Sequence, residues 1–256
     1  MEWTAFVGLA VGLLALLGGQ WLEGGAIAAL AQPTAALIVL GGTIGATLLS
    51  SPSAEISRAA RMLSRVFRAD PIHPRELAAR LVDMAALARK EGIIALEERC
   101  SSDPHPFLRL AMRHVIDGTS GSQLRDVLET DVQIRSEKAL AGARVYETAG
   151  GFAPTLGILG AVLGLIHTME NLSEPGRLGA GIAVAFVATV YGVGAANLIF
   201  LPVANRLKRL VVKDRSAQEM IIEGALGIQA GLSPSALSDR MEAFFSRPLS
   251  EDLEAA

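Results

Sequence analysis

Two sets of residues in this chain of 256 have types and spacing that could do chemistry. The first is the polar set inside its long apolar runs: Thr43, Thr155, His167, Thr168, Thr189, Tyr191 and Asn197. Those runs hold no Asp, Glu, Lys or Arg. A proton relay in a membrane normally uses an ionisable group there. Only His167 in the set is a natural proton carrier, and it lies one turn from the outer end of its run. If the chain conducts protons, a partner must contribute the carboxylate. The second set is Ala88-Arg89-Lys90-Glu91-Gly92-Ile93-Ile94-Ala95-Leu96-Glu97-Glu98-Arg99. Lys90 and Glu97 are seven residues apart, which puts them on one helix face at about 3.6 residues per turn, with Arg89 next to it. By composition this is a solvated surface whose charge pairs are worth about 0.2–0.5 kcal/mol each. Other chemistries find little support. His73, His105, His114 and His167 have no metal-ligand spacing, and no Gly-rich loop follows a strand to make a nucleotide site. Ser, His and Asp are not gathered in the apolar runs as an intramembrane hydrolase needs. The chain reads as a non-enzyme with no catalytic residue, no bound metal and no cofactor.

The elements that must position these groups are four apolar runs, each long enough for the roughly 20 residues a helix needs to cross a bilayer. They are Thr4 to Leu22, Ala26 to Leu49, Ala149 to Met169 and Leu178 to Ala204. The first reads as a span and not a cleaved signal peptide, because Glu2 precedes it and no Lys or Arg does. Trp3 and Trp21 sit at its ends, where indole rings favour the interface. The last two runs form a hairpin through Glu170 to Arg177, a turn-forming segment. Gly157, Gly160 and Gly164 on one side and Gly192, Ala195 and Ala196 on the other are small enough for close helix approach in lipid. Pro154 and Pro202 each remove a backbone donor. Either they sit near helix ends, where that loss is cheap, or they serve as hinges.

The hydrophobic share, 51%, is only slightly above the soluble range, so distribution and not the total carries the membrane reading. Basic residues set the orientation. The first fifty residues contain none, segment 51–148 contains fifteen, loop 170–177 contains Arg177 alone, and the portion after 205 contains seven. The positive-inside rule then places 51–148 and both termini in the cytoplasm. Anionic lipid is an expected neighbour of that charge. A net charge of -3 argues against a nucleic-acid partner, and a single cysteine, Cys100, excludes an intrachain disulfide.

The expected fold is all-α: a polytopic membrane protein with four spans and a helical cytoplasmic domain between spans two and three. The expected divisions are 1–50 (spans one and two), 51–148 (the helical domain), 149–205 (spans three and four) and 206–256 (a C-terminal helix and tail). Within 51–148, Arg58 to Phe67 continues the second span, and Pro74 to Cys100 is one helix with Leu77, Leu81, Met84 and Leu87 at helical spacing. Asp103-Pro104 caps a helix to Ile116, and Ser122 to Thr148 is a long helix running into the third span. After Pro202 the helix continues to Ala225, weakened by Gly224, Gly227 and Gly231. Ser233-Pro234 caps a short helix to Phe245, and Glu251 to Glu254 form an acidic end.

The run Ala-Pro-Thr-Leu-Gly-Ile-Leu-Gly-Ala-Val-Leu-Gly-Leu-Ile (Ala153 to Ile166), with Val187 to Gly192 and Leu201 to Ala204, resembles the MotA/PomA family, the ring-forming subunits of the flagellar stator. The opening Gly-Gly-Gln-Trp-Leu-Glu-Gly-Gly is also similar, and the likeness runs to about residue 230. The resemblance implies a subunit of an ion channel that turns ion-motive force into torque for bacterial flagellum rotation. It implies a MotB-like partner with a single span and an essential aspartate, two copies within a ring of five of these chains, in the bacterial inner membrane. Pro154, Ala161 and Thr189 fall on the family's ion path. Thr189 then offers its hydroxyl to water or ion; the alternative is that it bonds a carbonyl one turn back. Sodium-driven relatives carry a hydroxyl where this chain has Ala161, which leans the translocated ion toward the proton. Pro154 and Pro202 match the prolines of conformational coupling. Arg89, Lys90, Glu97 and Glu98 match charged positions that engage the rotor protein FliG; Arg99 departs where some relatives continue the acidic cluster. The rivals are an ExbB/TolQ-like energiser of envelope transport, whose chains usually have three spans, and a solute carrier, which would hold broken helices and midplane charge.

Overall fold

A computed structural model describes residues 3–68, 73–170 and 175–246. Of the expected turn, Glu170 to Arg177, residues 171–174 lie outside them, while Glu170 ends one helix and Pro175 begins the next; the acidic end at 251–254 also lies outside. Every described element is a helix or a helical turn, with no strand among the described residues. Four of the helical stretches are long and apolar enough to cross a membrane: Trp3–Leu22, Ile27–Ser50, and parts of Gly121–Glu170 and Gly181–Gln229. The chain divides into two compact units. One is Met1–Ala69 with Leu140–Lys208, the other Asp70–Ala139 with Arg209–Ala256.

The first unit contains the spans. Helix α1 (Trp3–Leu22) buries none of its residues. The next span opens with a short 3-10 turn, Ile27–Leu30, then runs through α2 (Pro33–Ala36), a π-helical turn Leu37–Gly41 and α3 (Gly42–Ser50). It does not continue outward as expected. Ser51 is extended and Pro52 stands as the cap of a separate helix, α4 (Ser53–Phe67). The reason is local: proline disfavours helical backbone in the residue before it. Phe67 of α4 reaches Phe6 of α1 with ring centroids 4.9 Å apart. The third span is the second half of α8 (Gly121–Glu170), a single helix of 50 residues that the expected 122–148 segment enters without a break. The fourth is α9 (Pro175–Ala195), a π turn Ala196–Phe200 and α10 (Leu201–Gln229) in succession. Ile158, Leu159, Val162, Leu163, Leu165 and Ile166 are exposed on α8.

The second unit buries a leucine- and methionine-rich core. Leu77, Leu81 and Met84 of α5 (Pro74–Glu91), Leu108 and Met112 of α7 (Pro106–Ile116), and Leu124 and Leu128 of α8 pack with Met220 and Ile221 of α10. Leu237 and Met241 of α11 (Pro234–Ser246) complete it. The residues after 208 thus belong to the same core as those of 70–139. Gly224 and Gly227 do not end α10. A methyl group at Gly224 would sit 2.7 Å from a Leu81 methyl, and one at Gly227 2.8 Å from Leu237, so these glycines let α5 and α11 close in. Ser233 Oγ accepts from Ala236 N at 3.2 Å and caps α11, as the sequence predicts.

Two expectations here are corrected. Pro74 to Cys100 is not one helix: α5 stops at Glu91, Gly92 has φ +90, a 3-10 turn covers Ile93–Ala95, and α6 (Leu96–Ser101) begins anew. Only glycine takes that φ without strain, so the sequence does carry the break. The cap of α7 is also not Asp103. His105 holds that place, its Nδ1 accepting from Leu108 N at 3.3 Å. Asp103 is instead buried, with both oxygens within 2.9 Å of Arg80 Nη1 and one accepting from His105 N at 2.7 Å.

Candidate functional site

The seam between α8 and α9 places the residues of the expected ion path. Gly157, Gly160 and Gly164 recur at helical spacing along one side of α8, and each meets α9. A methyl at Gly157 would lie 3.1 Å from Ala188 O and 3.2 Å from Gly192 Cα; at Gly160, 2.9 Å from Ala188 Cβ; at Gly164, 2.9 Å from Ala185 N. The expected small-residue contact thus forms at Gly192, with Ala185 and Ala188 joining it, and Ala195 and Ala196 are also buried. Contact this close leaves no room for a side chain and supplies the van der Waals packing that holds helices together in lipid. The second span closes the third side, where Ala35 and Val39 pack with Val187 and Ala188.

Pro154, Ala161 and Thr189 are all half-buried. Pro154 and Ala161 are seven residues apart on α8 and share a face. Thr189 lies across from Gly157, whose added methyl would stand 3.4 Å from Thr189 Cα, so it is level with the stretch between them. The structure therefore brings the three onto one part of the helix pair. Other threonines of the spans bond backward within their helix. Thr43 donates to Val39 O at 2.6 Å, Thr47 to Thr43 O at 2.7 Å, Thr155 to Phe152 O at 2.8 Å and Thr168 to Gly164 O at 2.9 Å. Thr189, with four helical residues behind it, makes no hydrogen bond of this kind among the described residues. His167 stands exposed at the outer end of α8, its Nδ1 3.7 Å from Glu170.

Neither proline is at a helix end. Pro154 is inside α8. Pro202 is exposed, second in α10, directly after the π turn that joins it to α9. With no N–H on either ring, the carbonyls of Gly150 and Leu198 lose their usual donors four residues on. A π turn beside a proline is a recognised place for a helix to bend.

One function of a polar group was not foreseen. Tyr191 is visible in the sequence only as a polar residue in an apolar run. Its hydroxyl donates to Leu30 O and accepts from Gln32 N at 3.3 Å. It thus satisfies the irregular backbone where the 3-10 turn gives way to Pro33. Nothing local in sequence pairs residues 159 positions apart.

The charged set lies in the second unit. Arg89 and Lys90 end α5, while Glu97 and Glu98 open α6. Lys90 and Glu97 therefore do not share a helix face, and the expectation from their spacing is corrected by the turn at Gly92. All four side chains are exposed. Lys90 stands 3.5 Å from Glu91 at the surface; Arg89, Glu97 and Glu98 form no ion pair among the described residues. Each pair complements the dipole of its helix end.

Residues 6–92 match the family described as Motility protein A N-terminal, and residues 101–220 match the MotA/TolQ/ExbB proton channel family. The chain is 34% identical to Motility protein A of Bacillus subtilis over 94% of its own length and 90% of that protein. It is 29% identical to the chemotaxis protein PomA of Vibrio alginolyticus, over 91% of this chain and 94% of that one. Among solved structures, C. jejuni MotAB superposes with a TM-score of 0.91 at 29% identity, covering 97% of this chain and 98% of that chain. The MotAB stator complex of Bacillus subtilis gives 0.88 at 33%, covering 99% of each. The Motility protein A match covers the first two spans, which separates this chain from an ExbB/TolQ energiser; the solute-carrier alternative loses its ground, since the described spans hold no midplane charge. The chain belongs to the MotA family and is a multi-pass membrane subunit of the flagellar motor stator.

Proposed function

We propose that five copies of this chain form a ring around two copies of a MotB-like partner in the inner membrane, with both termini cytoplasmic, and that the ring passes protons. The observation that carries the reading is the character of the α8/α9 wall around Thr189: polar at Thr189, methyl-lined at Ala161, short of one backbone donor at Pro154, and with no Asp, Glu, Lys or Arg between Ala149 and Met169 or between Leu178 and Ala204. A charged carboxylate against such a wall is costly, and a neutral one is far less so. Ion binding to the partner's aspartate therefore lowers the barrier to moving it past the wall, and release restores the barrier. Thr189, whose hydroxyl is not committed to its own helix, can hold the water or ion at that step. Pro154 and Pro202 let the spans bend as the ring advances. The helical unit carries the motion to the rotor protein FliG through Arg89, Lys90, Glu97 and Glu98. Exposed charges of both signs speed encounter and fix register more than they add affinity, which suits a contact made and broken at each step. Anionic lipid around the basic segments completes the surroundings.

The test is swimming speed of cells that carry this chain and its partner as their sole stator. Collapse of the proton gradient stops them, and removal of sodium leaves the speed unchanged. Thr189→Ala slows them severalfold with normal membrane abundance, and Thr189→Ser retains most of the speed. Current carried by the isolated chain, reconstituted without a partner, would overturn the reading.

A further inference from the structure

Between the basic and acidic pairs lies an apolar side chain that neither core nor charge explains. Ile94 is 77% exposed, the most exposed large apolar residue described in the second unit. Its neighbour Ile93 is half-buried against the core, so the turn that starts at Gly92 aims one isoleucine inward and the next outward. Single exposed apolar residues are ordinary on protein surfaces. The setting of this one is not. Arg89 and Lys90 precede it and Glu97 and Glu98 follow it, all exposed, and three of the four have no ion pair among the described residues. The helix dipoles account for which sign stands at which end. They do not account for an isoleucine held out between them.

An apolar centre with a charged rim is the anatomy of a protein–protein contact. The rim steers and registers, while a desolvated central anchor carries most of the affinity. We propose that Ile94 is the anchor of the rotor-docking surface. The partner is a protein face with an apolar recess, flanked by acidic groups toward Arg89 and Lys90 and by basic groups toward Glu97 and Glu98. This rests on the rotor contact proposed above and adds to it the residue that sets how long each contact lasts. The 3-10 turn is short and fixed at both ends, so the anchor enters the recess with little ordering cost.

Two measurements in motile cells test it, with the full chain in its complex. The first places a photo-crosslinking residue at position 94. The expected product joins this chain to the rotor protein. A product of two copies of this chain, or of chain and lipid alone, overturns the proposal. The second is the dwell time of a fluorescent stator at the motor. Burying an isoleucine corresponds to about ten- to hundredfold in affinity, so Ile94→Ser shortens the dwell by about that factor and Ile94→Leu by less than twofold. If Ile94→Ser leaves the dwell unchanged while Glu97→Lys shortens it, the charged contact stands and the anchor is wrong. If neither changes it, the rotor contact falls as well. Should Ile94→Ser lower the amount of chain in the membrane, the crosslink decides alone.

Discussion

Gly192 and Gly194 are two residues apart in the same helix, and the structure gives alanine opposite consequences at each. A methyl at Gly192 would sit 2.5 Å from Ala153 O and 2.9 Å from Gly157 Cα. Both are backbone atoms of α8 and cannot rotate away. Restoring an ordinary contact requires the helices to part by about 1 Å, which thins the packing along the whole seam. A methyl at Gly194 meets nothing within 4 Å. Helix propensity alone favours alanine by about 0.8–1.0 kcal/mol at either position. Overpacking costs about 1–3 kcal/mol, so it meets or exceeds that gain at Gly192 and is absent at Gly194. The measurement is the thermal melting midpoint of the purified complex in detergent. At about 2–4 °C per kcal/mol, Gly192→Ala lowers the midpoint by a few degrees, and Gly194→Ala leaves it unchanged or raises it slightly. Gly192→Val deepens the loss, because the branched carbon adds atoms in the same place. Pairing Gly192→Ala with Gly157→Ala gives less than the sum, since helices parted by one methyl already make room for the other. A Gly192→Ala protein that melts above the parent, as Gly194→Ala is free to do, would show that the seam is not a tight backbone contact, and the placement of Thr189 beside Gly157 would go with it.

Three other outcomes follow from single contacts. Tyr191→Phe removes the hydroxyl shared by Leu30 O and Gln32 N and destabilises the complex by about 1–3 kcal/mol, read as a lower midpoint with unchanged helicity. Asp103→Asn removes the buried carboxylate charge opposite Arg80 and turns one of its two acceptor oxygens into a donor, which costs about 2–3 kcal/mol, seen as earlier proteolysis between α5 and α7. Burial, with Asp103 adding to it, pushes the Cys100 thiol up to about 11, so at neutral pH it stays protonated; maleimide labels it fast in the denaturant-unfolded chain and slowly in the folded one, and equal rates would refute the burial.

What the sequence made legible was whatever repeats or accumulates. Four apolar runs, the small residues of α8 and the leucine spacing of α5 are patterns, and each became a helix or a contact. What it hid were pairings across long separations and single breaks. Tyr191 finds Leu30 and Gln32 only because α9 lies against the second span. Asp103 resembled a cap because Asp before Pro usually is one, yet burial beside Arg80 offered it a stronger partner than a helix N–H. The turn at Gly92 was readable in principle. Leucine periodicity through Leu87 masks a glycine five residues later, and the spacing of Lys90 and Glu97 then points to a shared face that does not exist. The residues of the proposed ion path were legible only through family resemblance, because half-buried Pro, Ala and Thr have no chemistry of their own.

The two prolines sharpen what the proposed ring wall must be able to do. A helix can keep a proline cheaply in its first turn, where the missing N–H had no acceptor to lose. Pro154 lies deep inside α8. Pro202, second in α10, follows a π turn, so the helix runs through it without a free first turn. Each therefore takes away the usual donor of a carbonyl within a span, a loss that lipid does not offset. On the α8 side that carbonyl belongs to Gly150, and an added methyl on Gly150 would lie 2.6 Å from Leu201, next to Pro202. The two breaks thus stand beside each other across the helix pair, so bending at one shifts the packing of the other. A rigid sleeve would gain from replacing both. The coupling proposed above for the two prolines needs the weak points beside each other, and that is where this chain has them.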